Sequence, residues 1–467
     1  MTKLFYYVVK NLENTTHRID SNYFDPRYYE TIKKLNKYGQ QDGMNLSKLG
    51  ELLSESTTNL TGGVTPKGAS YLEEGIVFIR AQNVKENNIR VKNAVFIEPR
   101  VHNGELRRSK LKPDDVLLTI TGVNYGISAI VPKNIGEANI NQHCVKIEVN
   151  DKILPNYLCN FLNSTLCQIQ MKRVATGGTR PALSYPAIKS LEILYPENID
   201  IQKKISDQID KIYDIAYKKL KQRDELLSNM DTLIQGKLGI IMPNEFANPH
   251  FTVNLENTDR LDVRSKSPYL QNLLNTINQV AHDKFENLVI FQKKEKPIIS
   301  DYYRLIDLRN IEEKTGRIKV KEVESIESSI LLHKDQICIS CLNPDKGKTI
   351  LIDNVSDNCV GSNEFAIVKE IPKKINQEYL SIILRSKIVL DQWKYQITGS
   401  SPSRERISEN TLNKTLIPLP DKDTIQKDIA KSVSGILQKA IQLEKEYQEK
   451  ICVAKNSFDE HLIKLSP

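Results

Sequence analysis

The sequence predicts an α+β chain. Two similar globules, mixed α/β and strand-rich, are separated by two long antiparallel coiled-coil helices in a pseudo-twofold internal repeat. Three observations predict this. The chain repeats itself with a period near half its length. Each half carries short, alternating, β-branched segments. Each half ends in a long apolar seam of three-four spacing.

The repeat comes first. Arg18-Ile19-Asp20 reappears as Arg260-Leu261-Asp262, and LKPDDVLLTI (111–120) as LHKDQICISC (332–341). Tyr157-Leu158 matches Tyr379-Leu380, Gly177 matches Gly399, and ILYPENIDIQKKI (193–205) matches IPLPDKDTIQKDI (417–429). The offsets are 242, 221, 222, 222 and 224, in the same order along the chain. The parts follow: 1–199, a globule; 200–240, a helix; 241–258, a linker; 259–422, a second globule; 423–467, a second helix.

Each globule opens on a short amphipathic stretch, about 20–38 and 262–281. Strands are predicted at 75–84, 94–99, 115–120, 127–132 and 143–149, then at 302–308, 336–340, 349–355 and 364–370, where Val, Ile, Phe and Tyr alternate. Helical spacing follows at 156–174 and 377–397, then one short strand before a proline in each half. The first long seam includes Ile205, Ile209, Ile212, Ala216 and Leu220, and the second Ile429, Val433, Ile436, Ala440 and Leu443. We expect Ile205, Ile209, Ile212, Ile429, Val433, Ile436 and Leu443 to form the helix–helix or partner interface. The alternative is that each seam packs on its own globule.

Composition bounds the function. The chain has 467 residues, 39% hydrophobic and 27% charged, so extensive cores are expected rather than disorder. The net charge of +8 permits a polyanion partner without requiring one. The helices are near neutral: eight Lys/Arg against six Asp/Glu in 201–238, and seven against six in 424–467. No apolar run reaches the roughly 18 residues of a membrane span, and the scattered seven cysteines read as reduced thiols, a cytoplasmic pattern. Cys338 and Cys341 form a single C-x-x-C with nothing to complete a zinc site.

No catalytic constellation is visible. The chain lacks a P-loop, a nucleophile elbow, H-E-x-x-H and the N-P-P-Y or D-P-P-Y tetrapeptides. NPDKG (343–347) and Asp114-Asp115 read as turns. We therefore expect a non-catalytic chain with no metal site.

Several polar turns carry groups that contact phosphates or bases. The candidates are Lys67, Asn124, Tyr125, Lys172, Arg173 and Arg180 in the first half, and Lys346, Lys348, Lys394, Arg404 and Arg406 in the second. Ordinary surface charge accounts for any one taken singly. Paired occurrence singles out the loops 171–184 and 394–408.

With these strings in view, the layout resembles the specificity (S) subunits of Type I restriction–modification systems. The carriers are SLEILYPENIDIQKKI (190–205) and NKTLIPLPDKDTIQKDI (413–429), with GIVFIRAQNV, LKPDDVLLTITG and EANINQHCVKIEV in half one and GSNEFAIVK in half two. The sequence departs from the pattern at Tyr195 and in lacking a TGG..TP loop early in half two. The resemblance implies two target recognition domains, each reading one half of a split double-stranded DNA site. It implies helices that set the spacing and dock methyltransferase subunits, two in number. Restriction subunits would join through the complex, an adenine-N6 methyltransferase and ATP-dependent endonuclease. S-adenosylmethionine, ATP and Mg2+ would lie on those partners and none on this chain. A helix of 36 residues is roughly 54 Å long, about one to one and a half turns of B-DNA. The alternatives are a specificity-like subunit of another defence system and a coiled-coil adaptor that binds no DNA.

Overall fold

A computed structural model describes residues 23–66, 71–72, 74–122, 124–178, 180–244, 264–318, 320–326, 328–353, 358–371, 373–399, 401, 405–421 and 423–464. The chain divides into two compact units, Met1–Leu220 with Lys445–Pro467, and Lys221–Glu444. The division falls inside both long helices, Ile199–Leu238 and Asp423–Lys464. Each unit therefore holds one globule, half of the helix that follows it, and half of the other.

The first unit opens on helix Pro26–Gly39. Pro26 sits where its missing N–H costs nothing, and the Asp25 carboxylate accepts from Arg27 N at 3.0 Å. Strand Met44–Lys48 then pairs antiparallel with Glu192–Pro196, joining the beginning of the globule to its end. A four-stranded sheet follows, in the order Leu60–Gly62, Cys144–Ile147, Val116–Thr119, Ser128–Ile130. A three-stranded sheet runs Val95–Ile97, Ile76–Ile79, Ala138–Ile140, its last pair parallel.

Both faces of the four-stranded sheet are covered. Val116, Leu118, Val145 and Ile147 join the core under helices Pro155–Asn163 and Thr165–Val174. Leu117, Ala129 and Cys144 join a second core with Ile79, Ala138 and Ile140. That is why VLLTI is a continuous apolar run and not an alternating one.

The second unit repeats this plan. Its four-stranded sheet runs Val289–Phe291, Phe365–Glu370, Ile337–Ser340, Thr349–Leu351. Ile337, Ile339 and Val368 face one core, and Cys338, Ile350 and Phe365 the other. A parallel pair recurs at Tyr303–Ile306 and Cys359–Ser362. The stretches expected as single helices are each two. Ser164 caps helix Thr165–Val174, and Ser386 precedes Lys387–Lys394 at the matching place.

The long helices pair antiparallel. In the second unit Arg223 meets Glu444 at 3.3 Å while Lys237 meets Asp428, so one number climbs as the other falls. In the first unit Lys219 meets Glu446 at 2.9 Å, and the Tyr217 and Tyr447 rings lie 5.6 Å apart. The seam serves two neighbours at once. Ile205, Ile209, Tyr213 and Ala216 share one core with Tyr157 and Leu158 of the globule and with Tyr447, Ile451 and Phe458 of the second helix. Ile429, Val433 and Leu443 are buried as expected. Ile212 and Ile436 are only half-buried, because the inward positions belong to Tyr213 and, in part, Leu437.

Side-chain amides and phenols fix the inner helices of each globule to its last strand in the same way in the two halves. Gln170 exchanges hydrogen bonds with the backbone of Glu192 (2.9 and 2.8 Å), and Gln392 does so with Leu416 (2.9 and 2.9 Å). Tyr157 donates to Leu194 O at 2.9 Å and Tyr379 to Pro418 O at 2.7 Å. The glutamine of each I-Q-K string closes the junction. Gln202 accepts from Leu154 N and donates to Pro196 O, both 2.8 Å. Gln426 accepts from Asn376 N at 2.8 Å and donates to Pro420 O at 3.2 Å.

Candidate nucleic-acid interface

Four loops meet at one edge of the first globule. Leu183 N donates to Ile120 O at 2.9 Å and Gly122 N to Pro181 O at 3.1 Å, tying the 121–126 turn to the 176–185 loop. The Tyr185 hydroxyl accepts from Gly62 N at 2.7 Å. Thr65 bonds Gln142, and Thr121 bonds His143. Two glycines make the approach possible. A Cβ on Gly63 would overlap Ile140 O, and Gly177 has φ +93° with a Cβ position 2.7 Å from Arg180 O.

The chemistry of this edge is one-sided. Residues 61–66, 121–126, 139–143 and 171–191 contain no Asp or Glu, while they carry Lys172, Arg173, Arg180 and Lys189. Gln142, His143, Asn124, Lys172 and Arg180 are exposed. Positive charge, amides and hydroxyls without a carboxylate suit a polyanion whose base edges also offer hydrogen bonds.

The second globule builds the same backbone frame. Ile407 N donates to Cys341 O at 3.0 Å and Asn343 N to Glu405 O at 2.9 Å. Thr398 and Arg406 exchange backbone bonds of 2.9 and 2.8 Å, as Thr176 and Ala182 do at 2.9 and 2.7 Å. The strand registers Thr119–Cys144 and Ser340–Phe365 then match Thr121 with Leu342, His143 with Glu364, and Ala182 with Arg406. Here carboxylates are present, and three are ion-paired: Asp345 with Lys346 (3.3 Å), Glu364 with Arg406 (2.8 Å) and Glu405 with Arg264 (2.8 Å). The Arg406 guanidinium beside Glu364 lowers the carboxyl below its usual range.

The candidates fall into three groups. Asn124, Lys172 and Arg180 stand exposed at the first edge, and Arg406 at the second. Tyr125 is half-buried, which pushes its phenol up, and with Lys172 it lines a groove of about 430 Å³ beside the edge. Others are engaged elsewhere. The Arg173 guanidinium lies over the rings of Tyr23 (4.4 Å), Tyr28 (3.9 Å) and Tyr29 (5.3 Å) and donates to Tyr23 O, so it fastens the opening helix. Lys348 donates to Leu308 O at 3.0 Å, Lys346 pairs with its neighbour Asp345, and Lys394 sits 5.4 Å from the Tyr395 ring. Lys67 and Arg404 lie outside the described residues. Sequence reasoning missed His143, Gln142, Tyr185 and Glu364. The available signal was the pair NQHC and SNEF, each immediately before a strand at the same place in the repeat.

Residues 41–228 match the family model described as Type I restriction modification DNA specificity domain. That match spans 188 of the 467 residues. Its range takes in the whole first edge and the first three quarters of the first long helix. No curated protein matches the chain. Among solved structures, the Type I restriction–modification S subunit from M. genitalium is 13% identical, covering 91% of this chain and 97% of that one, with a TM-score of 0.40. A chain from a study of complex assembly and conformational transition of the type I R-M system is also 13% identical, covering 91% and 97%, with a TM-score of 0.44. The HsdS subunit from Thermoanaerobacter tengcongensis is 14% identical, covering 90% and 97%, with a TM-score of 0.32. No described helix is long and apolar enough to cross a membrane, and no described group of His, Cys, Asp or Glu could hold a metal ion.

Proposed function

We propose that this chain is the DNA-recognition subunit of a cytoplasmic Type I restriction–modification complex. Each globule reads one part of a split duplex site through its loop edge. The paired helices set the distance between the two parts and dock methyltransferase subunits, two per chain. The subunit is non-catalytic: S-adenosylmethionine, ATP and Mg2+ act on methyltransferase and restriction partners.

The observation that carries this reading is the acid-free loop edge inside the stretch that matches the specificity-domain model, rebuilt on the same backbone frame in the second globule with different side chains. One frame with two surfaces suits two different half-sites. Asn124, Lys172 and Arg180 in the first half, and Arg406 in the second, are the exposed contacts we assign. Lys67 and Arg404 remain candidates from the sequence alone.

The test is sequencing of methylated adenines in cells with and without the chain. A split consensus that disappears on deletion supports the proposal. An unchanged methylome, together with no salt-dependent duplex binding by the complex, refutes it.

A further inference from the structure

The two edges share a frame but differ at one cluster of three positions. In the first unit it holds Thr121, His143 and Ala182, with Thr121 bonded to His143. In the second it holds Leu342, Glu364 and Arg406. The Arg406 guanidinium grips Glu364 as a fork, Nε to Oε2 at 3.1 Å and Nη2 to Oε1 at 2.8 Å. We infer that Arg406 reads a guanine in the second half-site, and that Glu364 is the positioning residue that presents its guanidinium. This rests on the function proposed above and adds the base and the residue pair to it.

Stability gives the pair only a modest role, even for a bidentate fork. Its side chains are 46% and 35% exposed, where an ion pair contributes little to folding. A carboxylate on a phosphate-facing edge would also repel DNA unless neutralised, and Arg406 neutralises this one. The geometry suits reading. Backbone bonds to Thr398 on both its N–H and its carbonyl pin Arg406, so the fork stands on a fixed base. A guanidinium has five N–H groups; two go to Glu364 and three remain. Guanine O6 and N7 take two. The equivalent alanine of the first unit cannot make this contact, so the halves are expected to differ at the base pair read here.

The experiment uses the full chain in its complex, in cells, with methylated-adenine sequencing as the readout. Arg406→Ala and the double variant Glu364→Ala/Arg406→Ala should lose preference at one G·C pair in one half of the consensus. Discrimination there should fall roughly 5- to 150-fold, with the other half unchanged. The double variant leaves no unpaired charge and keeps the backbone bonds at 406. Glu364→Gln should relax the same position to a smaller degree. An unchanged consensus in the double variant overturns the inference. So does relaxation spread over both halves, which marks a folding role. A Glu364→Gln consensus equal to wild type, beside a relaxed Arg406→Ala, overturns the positioning role. Absence of any chain-dependent consensus refutes the proposed function itself, a different outcome from each of these.

Discussion

Asp459→Asn should make the first unit more stable at neutral pH and remove part of its pH dependence. Asp459 lies on the second long helix, against Ser164, Thr165 and Leu166 at the start of helix Thr165–Val174. Burial is the largest influence and pushes its carboxyl up from 3.8 to about 6, against the opposing hydrogen bonds from that helix start. Its Oδ1 is buried and finds no partner. A raised folded pKa fixes the sign. Below about pH 4 the group is protonated in both states, and its stabilisation is fully present. That stabilisation is lost as pH rises through about 6. A rise from 3.8 to about 6 corresponds to about 3 kcal/mol, as an order of magnitude. Asn has the shape of the protonated acid and can still cap. The variant should therefore match wild type near pH 4 and exceed it by up to about 3 kcal/mol above pH 6.5. Trp393 is the only tryptophan and lies in the second unit, so its fluorescence is blind to this site. Amide hydrogen exchange of residues 165–174, from pH 4.5 to 7.5, is the suitable assay. A variant-minus-wild-type difference that stays flat across that range would falsify the assignment of a buried, raised carboxyl.

Other expectations follow from the same bonds. Gln426→Leu leaves the Asn376 N–H and the Pro420 carbonyl without their partner, and should destabilise the second unit by about 2–3 kcal/mol, read by Trp393 fluorescence in urea. Arg180→Ala should weaken specific binding or relax one base position by about 1–3 kcal/mol, seen as a degenerate position in the methylated consensus; unchanged binding and consensus remove Arg180 from the interface. Gly177→Ala forces a side chain onto φ +93° beside Arg180 O, and should mimic Arg180→Ala in the same half without altering the other. Four residues inserted near Lys218 should change the gap between the two parts of the consensus, and a retained gap rules out the helices as the ruler.

Much of the frame was legible because it is written in periodicities and repeated strings. The strands at 115–120 and 336–340 appear almost where their short apolar runs put them, at Val116–Thr119 and Ile337–Ser340. The helix seams were legible too, but rotated at two places. Tyr213 lies outside the expected seam, yet it is 2% exposed, while Ile212 beside it packs half-buried against the same core. The breaks at Ser164 and Ser386 were hidden inside continuous helical spacing, since an N-cap serine costs an amphipathic pattern nothing. The site was less legible. Charge and glycine marked the loops, but they could not separate Arg180, which is exposed, from Arg173, which three tyrosines hold. Composition describes a loop, whereas contact depends on which neighbour reaches it first.

The division of labour between frame and face lets one fold carry two different surfaces. The bonds common to both halves run from a side chain to backbone, as with Gln170 and Gln392, or between backbones, as at Gly122 and Asn343. Such bonds fix where each loop begins and ends without depending on what the loop tips carry. The tips are then free to differ, and they do: histidine and alanine at one edge, glutamate and arginine at the other. A change at a tip costs little stability because those side chains are largely solvated, whereas a change at Gln202 or Gln426 unfastens a helix from its globule. The surface can therefore vary without disturbing the helices that hold it, and variation should accumulate at positions such as 143 and 364 before it reaches the glutamines.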